Sequence, residues 1–172
     1  MNFTELCKER YSLRKFDTRA VEDEKLDIIL EAGRLAPTAH NFQPQRFFVM
    51  KSPEALSKID KCAGCHFNPP VVILAAYDPN EAWHRETDGK IHGEIDTSLA
   101  VSQLMLQAAE LGLGTTYVGM FEPEKIYAEF PEIKRMGLIP TALIPLGYPK
   151  EGAHPSKLHA SRKPLEEIVT YL

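Results

Sequence analysis

The chain has 172 residues, 44% hydrophobic and 26% charged, enough for one domain that buries roughly 70% of its unfolded surface. A net charge of −4, a pI near 5.9 and twenty basic residues that form no stripe argue against nucleic acid as the main partner. Met1-Asn2-Phe3-Thr4-Glu5 lacks the basic start and apolar run of a signal peptide, no run is long enough for a bilayer, and an odd number of cysteines, three, points to reduced thiols in a cytoplasmic protein.

Asn2 with Glu5 three residues on predicts a helix start of the capping-box type, with Phe3, Leu6 and Cys7 on one face. The stretch from Glu9 to Phe16 follows, with Arg10 and Arg14 four apart and Ser12 between them. A planar guanidinium grips phosphate or carboxylate with two bonds, so this stretch is a candidate anion site, whereas its plainer reading is a solvated basic turn. A second helix begins near Glu22, its first-turn acids suiting the helix dipole, with Leu26, Ile29, Leu30 and Gly33 as its buried stripe. Ala36 to Gln45 is a polar loop bracketed by Pro37 and Pro44. Arg46 to Met50 reads as a strand, and Ser52-Pro53 as the start of a helix carrying Leu56 and Ile59. Val71 to Tyr77 is continuously apolar, which predicts a central strand buried on both faces.

Asp78 to Gly93 is polar, irregular and lid-like, and holds the one tryptophan, Trp83. The longest helix is expected from Glu94 to Leu111, with Ile95, Leu99, Leu104, Met105, Ala108 and Leu111 on a wide apolar face suited to burial on several sides or to a subunit interface, and with Gly112 as its stop. Strands are expected at Thr115 to Val118 and Thr141 to Leu146, with a short helix opening at Glu122-Pro123. The tail from Gly152 has little periodicity, and no repeat, linker or low-complexity segment divides the chain, so a single domain over 1–172 is the reading.

Cys62-Ala63-Gly64-Cys65-His66 matches the short string of c-type haem attachment and of redox or zinc pairs, but the two further zinc ligands are missing at any diagnostic spacing and no export signal accompanies it. No metal is therefore expected. There is no Gly-x-Ser-x-Gly, Walker loop or Gly-x-Gly-x-x-Gly, and the six histidines are dispersed. Asn41 and Gln43 place amide donors and acceptors two apart in a rigid loop, which suits the polar edge of a flat heteroaromatic ring.

In order along the chain, Arg10-Tyr11-Ser12-Leu13-Arg14-Lys15-Phe16, Ala36 to Pro44, Gly93-Glu94-Ile95-Asp96, Glu110 to Gly119, Pro145 to Pro149 and Ser161 to Glu167 together resemble the FMN-dependent nitroreductase family. Two positions depart from it: Tyr11 stands where many members have another arginine, and Gln45 where many have tryptophan. The resemblance implies an α+β fold, a central mixed β-sheet flanked by helices, built as an intertwined homodimer whose C-terminal tails exchange. It implies that Arg10, Tyr11, Ser12 and Arg14 bind FMN at its phosphate, with Arg162 reaching the same group. It places Pro37, Thr38, Ala39 and Asn41 in the cofactor wall, largely from the other subunit, and Val118 and Gly119 beside the ring. Hydride would pass from NADH or NADPH through FMN to a flat small-molecule acceptor, a nitroaromatic or a quinone, by a ping-pong mechanism with no catalytic side chain required. Phe42, Phe67 and Trp83 are candidate walls of the substrate pocket because they lie in loops. Leu165, Ile168, Val169 and Tyr171 are expected to pack on the partner. The alternatives are a flavin-storage protein without turnover and a non-reductive flavin reaction on the same fold.

Overall fold

The computed structural model describes residues 2–65 and 67–172; Met1 and His66, the last residue of the Cys-x-x-Cys-His string, lie outside the described residues. The helices are α1 (Phe3–Glu9), α2 (Asp23–Arg34), α3 (Pro53–Asp60), α4 (Gly93–Glu110), α5 (Pro123–Glu129) and α6 (Pro131–Arg135). The strands are β1 (Gln45–Met50), β2 (Val71–Tyr77), β3 (Gly114–Thr115) and β4 (Ile139–Gly147). The fold is α+β, as expected.

The sheet runs β1-β2-β4-β3, and each neighbouring pair is antiparallel. The sheet is thus antiparallel rather than mixed; among the described residues the parallel pairing is an isolated bridge between Ser12 and Thr115, outside the named strands. Because side chains alternate across a pleated strand, β2 sends Val71, Ile73 and Ala75 to one face and Val72, Leu74 and Ala76 to the other. The first set packs with Ala142, Ile144 and Leu146 of β4 against Leu26 and Ile29 of α2 and Val101, Leu104 and Ala108 of α4. The second packs with Leu143 against Ile59 of α3, Ile126 of α5 and Ile133 of α6. Helices therefore cover both faces, which is why β2 has no polar positions.

Short-range signals hold at the helix ends. The Asn2 side chain accepts from the Glu5 N–H at 3.0 Å, and Glu5 Oε2 accepts from the Asn2 N–H at 2.9 Å. Ser52 Oγ accepts from the Ala55 N–H, with Pro53 in the first turn of α3. At the end of α4, Gly112 takes φ +77°, and the Gly112 and Leu113 N–H groups donate to the carbonyls of Ala109 and Ala108. This is the paired bonding of a Schellman stop.

Three expectations change. The expected strand from Thr115 to Val118 breaks after Thr115; Val118 rejoins the sheet through its own reciprocal bonds with Leu143, at 2.9 and 3.0 Å. In α4 the inward face is Asp96, Thr97, Ala100, Val101, Leu104, Met105 and Ala108, while Ile95 and Leu99 stay 39% and 46% exposed. Small residues such as Ala100 and Ala108 face inward because α4 lies between α2 and the sheet, where larger side chains would hold the layers apart. The lid-like segment is more regular than its composition suggests: His84 bridges Ile91, the His92 N–H donates to the Trp83 carbonyl at 2.9 Å, and Arg85 pairs with Asp88 around the turn. The tail runs outward, with Leu158, Leu165, Ile168 and Tyr171 between 66% and 91% exposed.

Candidate functional site

Arg10 caps the C-terminus of α1, and from there the backbone is extended. The following strap is stitched to the sheet: the Leu13 N–H donates to the Thr115 carbonyl at 2.9 Å, Phe16 bridges Pro149, and the Asp17 N–H donates to the Tyr148 carbonyl at 2.9 Å. Leu13 is fully buried. Side chains alternate along extended chain, so burying Leu13 directs its neighbours Ser12 and Arg14 away from the core. Arg14 is exposed and donates from Nη1 to the Ser12 carbonyl at 3.1 Å.

Arg10 Nη1 is buried and has no hydrogen-bond partner. An unmet charged donor costs more than the roughly 1–3 kcal/mol of a neutral one, so buried donors rarely stay unpaired in the working protein. Arg10 borders two hollows. One, of about 180 Å³, is lined by Tyr11, Gly114, Thr115 and Pro149 among others. The second, of about 400 Å³, is lined by Ser98, Ser102, Met105 and Tyr117. The orphan donor and the hydroxyl-bearing wall fit an anionic ligand. Arg162 is exposed and donates to the carbonyls of His159 and Ser161. His159 in turn bonds the Lys8 carbonyl at 2.9 Å and meets the Tyr11 ring edge-on. The tail thus brings Arg162 to the neighbourhood of Tyr11, and among the described residues no hydrogen bond joins it to Arg10, Ser12 or Arg14.

The polar loop forms a second constellation. After extended Thr38 comes a 3-10 turn, Ala39–Asn41, in which His40 and Asn41 take φ of +54° and +56°, and Gln43 follows at +53°. Left-handed backbone at residues other than glycine costs about 1–3 kcal/mol each and persists only where surrounding contacts enforce it. Those contacts are visible. Asp96 Oδ1 accepts from the Ala39 N–H at 3.1 Å, Thr38 Oγ1 from the Gln43 N–H at 3.0 Å, and the Asn41 carbonyl from the Gln43 side-chain amide at 3.1 Å. The His40 ring lies between Phe42 and Trp83, with centroids 5.4 and 5.5 Å away, and Trp83 meets His92 edge-on at 4.6 Å. Pro37 leads into the loop and is exposed.

Of the three expected aromatic walls, Phe42 and Trp83 gather around His40, whereas Phe67 does not join them. It belongs to the cluster on the opposite side of the sheet, beside Cys65 and Val118. Val118 is held to β4 and buried, and Gly119 is exposed, where an added Cβ would meet only Tyr117 Cε1 at 3.8 Å. Nothing in this chain requires glycine there. Among the described residues no hydrogen bond or ion pair links the arginine strap to the polar loop. Cys62 is buried with its thiol on the Lys58 carbonyl, and burial pushes that thiol above its usual pKa, the reverse of an activated nucleophile. Among the described residues no three metal-ligating side chains converge, and no helix is long and apolar enough to cross a membrane.

Residue-by-residue reading did not place Asp96 against the polar loop, His40 beside Phe42 and Trp83, or Ser98 and Tyr117 on the wall of the second hollow. An acid in the first turn of a helix is explained by the helix dipole alone, so nothing local marks Asp96 as buried.

A family model described as the nitroreductase family matches residues 7–68 and 66–148. A Methanothermobacter thermautotrophicus protein with a provisional name pairing NADH dehydrogenase with NAD(P)H nitroreductase is 32% identical over 161 residues, covering 88% of this chain and 79% of its own. A nitroreductase family protein from Clostridium difficile 630 superposes with a TM-score of 0.90 at 41% identity, covering 99% and 98% of the two chains. A Desulfovibrio desulfuricans protein solved in complex with FMN superposes with a TM-score of 0.81 at 27% identity, covering 100% and 98%.

Proposed function

The chain belongs to the nitroreductase family, and on that footing we propose that it is an FMN-dependent NAD(P)H oxidoreductase, a single domain working as a homodimer. The observation that carries the cofactor assignment is the buried, unpartnered Arg10 Nη1 at the head of a strap that also presents Ser12 and Arg14. A monophosphate ester suits this site, since charge-assisted bonds to a guanidinium are the strong ones. Absence of a dinucleotide glycine motif favours FMN over FAD. FMN when bound supplies the redox chemistry, taking hydride from NADH or NADPH and passing it to a nitroaromatic, a quinone or a similar flat acceptor.

The chain's own groups bind and orient. Arg10, Ser12 and Arg14 hold the phosphate, with Tyr11 beside Arg10 on the wall of the same hollow and Arg162 brought near by His159. Pro37, Thr38, Ala39 and Asn41 present backbone and amide groups to the ring from the second copy, which is consistent with the lack of bonds between loop and strap in one chain. Val118 and Gly119 lie beside the ring, and Phe42 and Trp83 flank the open side. Donor and acceptor share that side and exclude each other, so initial-rate kinetics are ping-pong. The exposed apolar residues of the tail, with Ile95 and Leu99 of α4, support the dimer.

The test is spectroscopic. The purified protein is expected to be yellow, to release FMN on denaturation, and to bleach on anaerobic addition of NADH or NADPH and recover with a quinone. A colourless chain that cannot be reconstituted with FMN overturns the assignment. Colour without bleaching by either nicotinamide leaves a storage protein or a non-reductive flavin reaction instead.

A further inference from the structure

Asp96 is 2% exposed and sits one turn into α4, on the face turned toward the polar loop. Its Oδ1 accepts from the Ala39 N–H at 3.1 Å, across 57 positions of sequence. Its other oxygen, Oδ2, is buried with no partner, as are Thr97 Oγ1 and His92 Nε2 close by in the chain. A buried carboxylate is an expensive way to cap one amide, because its desolvation is only partly repaid. The loop it grips carries left-handed backbone at His40, Asn41 and Gln43. The other restraints on the turn itself are local or exposed: Thr38 and Gln43 lie within the loop, and His40 and Phe42 are solvent-accessible, while the bonds from Asp78 N–H to the Pro44 carbonyl and from Arg46 to the Gln43 carbonyl hold only the loop's far end. Among the described residues the Asp96 bond is the one that ties the start of the turn to the buried face of α4.

We propose that Asp96 is a positioning residue, whose buried carboxylate locks Ala39 and thereby holds the strained turn at His40 and Asn41 in the conformation that meets the cofactor. The assignment rests on the function proposed above, because only that reading gives the loop a ligand. α4 is packed against α2 and the sheet through Val101, Leu104 and Ala108, so it is a post from which to set the loop. The geometry gives an acid on the buried face of this helix a partner in the loop.

Asp96→Asn keeps a side-chain carbonyl to accept from Ala39, and Asp96→Leu keeps the volume without an acceptor. Two readouts apply to each full-length variant: FMN affinity by fluorescence titration, and amide hydrogen exchange of residues 37–43 and 97–108 in the flavin-free protein. Asp96→Asn is expected to stay within about threefold of the parent in FMN affinity, with the loop as protected as before. Asp96→Leu is expected to weaken FMN about tenfold and to speed exchange across 37–43, while 97–108 keeps its protection. Equal loss in both variants overturns the proposal, as does Asp96→Leu with unchanged loop exchange. Faster exchange of loop and helix together in Asp96→Leu also overturns it, by reducing Asp96 to general stability. A parent chain that never binds FMN defeats the functional reading alone, since the exchange measurement needs no flavin and still decides whether Asp96 holds the loop.

Discussion

Gly114 shows how tightly the arginine strap is fitted to the sheet. A Cβ added there would lie 2.3 Å from Leu13 Cδ2 and 2.7 Å from Leu13 Cβ, and Leu13 is the buried residue between Ser12 and Arg14. Gly114→Ala is therefore expected to cost about 1–3 kcal/mol of stability, the range for overpacking a well-filled site. It should also displace the strap, so denaturant unfolding and FMN titration should shift together; a variant unchanged in both would disconnect Leu13 from the anion site. At the same scale Arg10 and Arg162 separate. Arg10 Nη1 is buried and unpaired, whereas Arg162 already donates to two backbone carbonyls in the tail. Arg10→Ala should weaken FMN binding by about 1.5–3 kcal/mol, the worth of a charge-assisted bond, and Arg162→Ala by less. Equal losses in the two titrations would contradict this ranking.

Between elements, the start of α2 is fastened to the end of β4 by a polar cluster. The Tyr148 hydroxyl donates to Glu22 Oε2 at 2.6 Å, Lys25 donates to the Tyr148 hydroxyl at 2.9 Å, and Arg19 lies over the Tyr148 ring while pairing with Glu22. The Tyr148 hydroxyl, ahead of the backbone and Arg19, holds the Glu22 carboxyl down at about 2 from an ordinary 4.5. A folded-state value below the unfolded one means that the native form keeps the carboxylate charged where the unfolded chain has bound a proton. This contribution is complete above about 4.5 and is lost as pH falls toward about 2. Solvent exposure of the pair keeps it small. Glu22→Gln should thus flatten that part of the acid limb in a stability-against-pH series while leaving neutral stability close to the parent; an unaltered limb would show that the cluster does not hold in solution.

For the whole molecule the tail is decisive. Leu165, Ile168 and Tyr171 are 68%, 66% and 91% exposed in one chain, and the proposed dimer would cover this apolar surface. Deleting residues from Lys163 onward is expected to leave the sheet folded, because neither core cluster includes the tail. It should abolish the dimer and with it most flavin binding. Light scattering that still reports a dimer after deletion, or a monomer of about 19.4 kDa for the parent, would refute the exchange.

The helix ends and the central strand are legible in the sequence because their causes are short-range. Asn2 reaches Glu5, Ser52 reaches Ala55, and Gly112 turns back on Ala109, all within three residues. The run from Val71 to Tyr77 could only be buried on both faces. The order of motifs also points to the family, and the arginine strap to an anion site. What tertiary structure alone decided depends on contacts far apart in sequence. Thr115 pairs with Leu146 and Val118 with Leu143, and the ladder breaks between them opposite Pro145 of β4, which has no N–H to donate. Ile95 and Leu99 face outward because α4 turns Asp96, Thr97, Ala100 and Val101 to the core at those turns. Phe67 parts from Phe42 and Trp83 because the chain crosses to the other face of the sheet. Asp96 and Ala39, 57 positions apart, meet only once α4 is seated on the core. Local propensity records what a residue prefers with its near neighbours, and such pairings are set by packing between elements, which no short window of sequence contains.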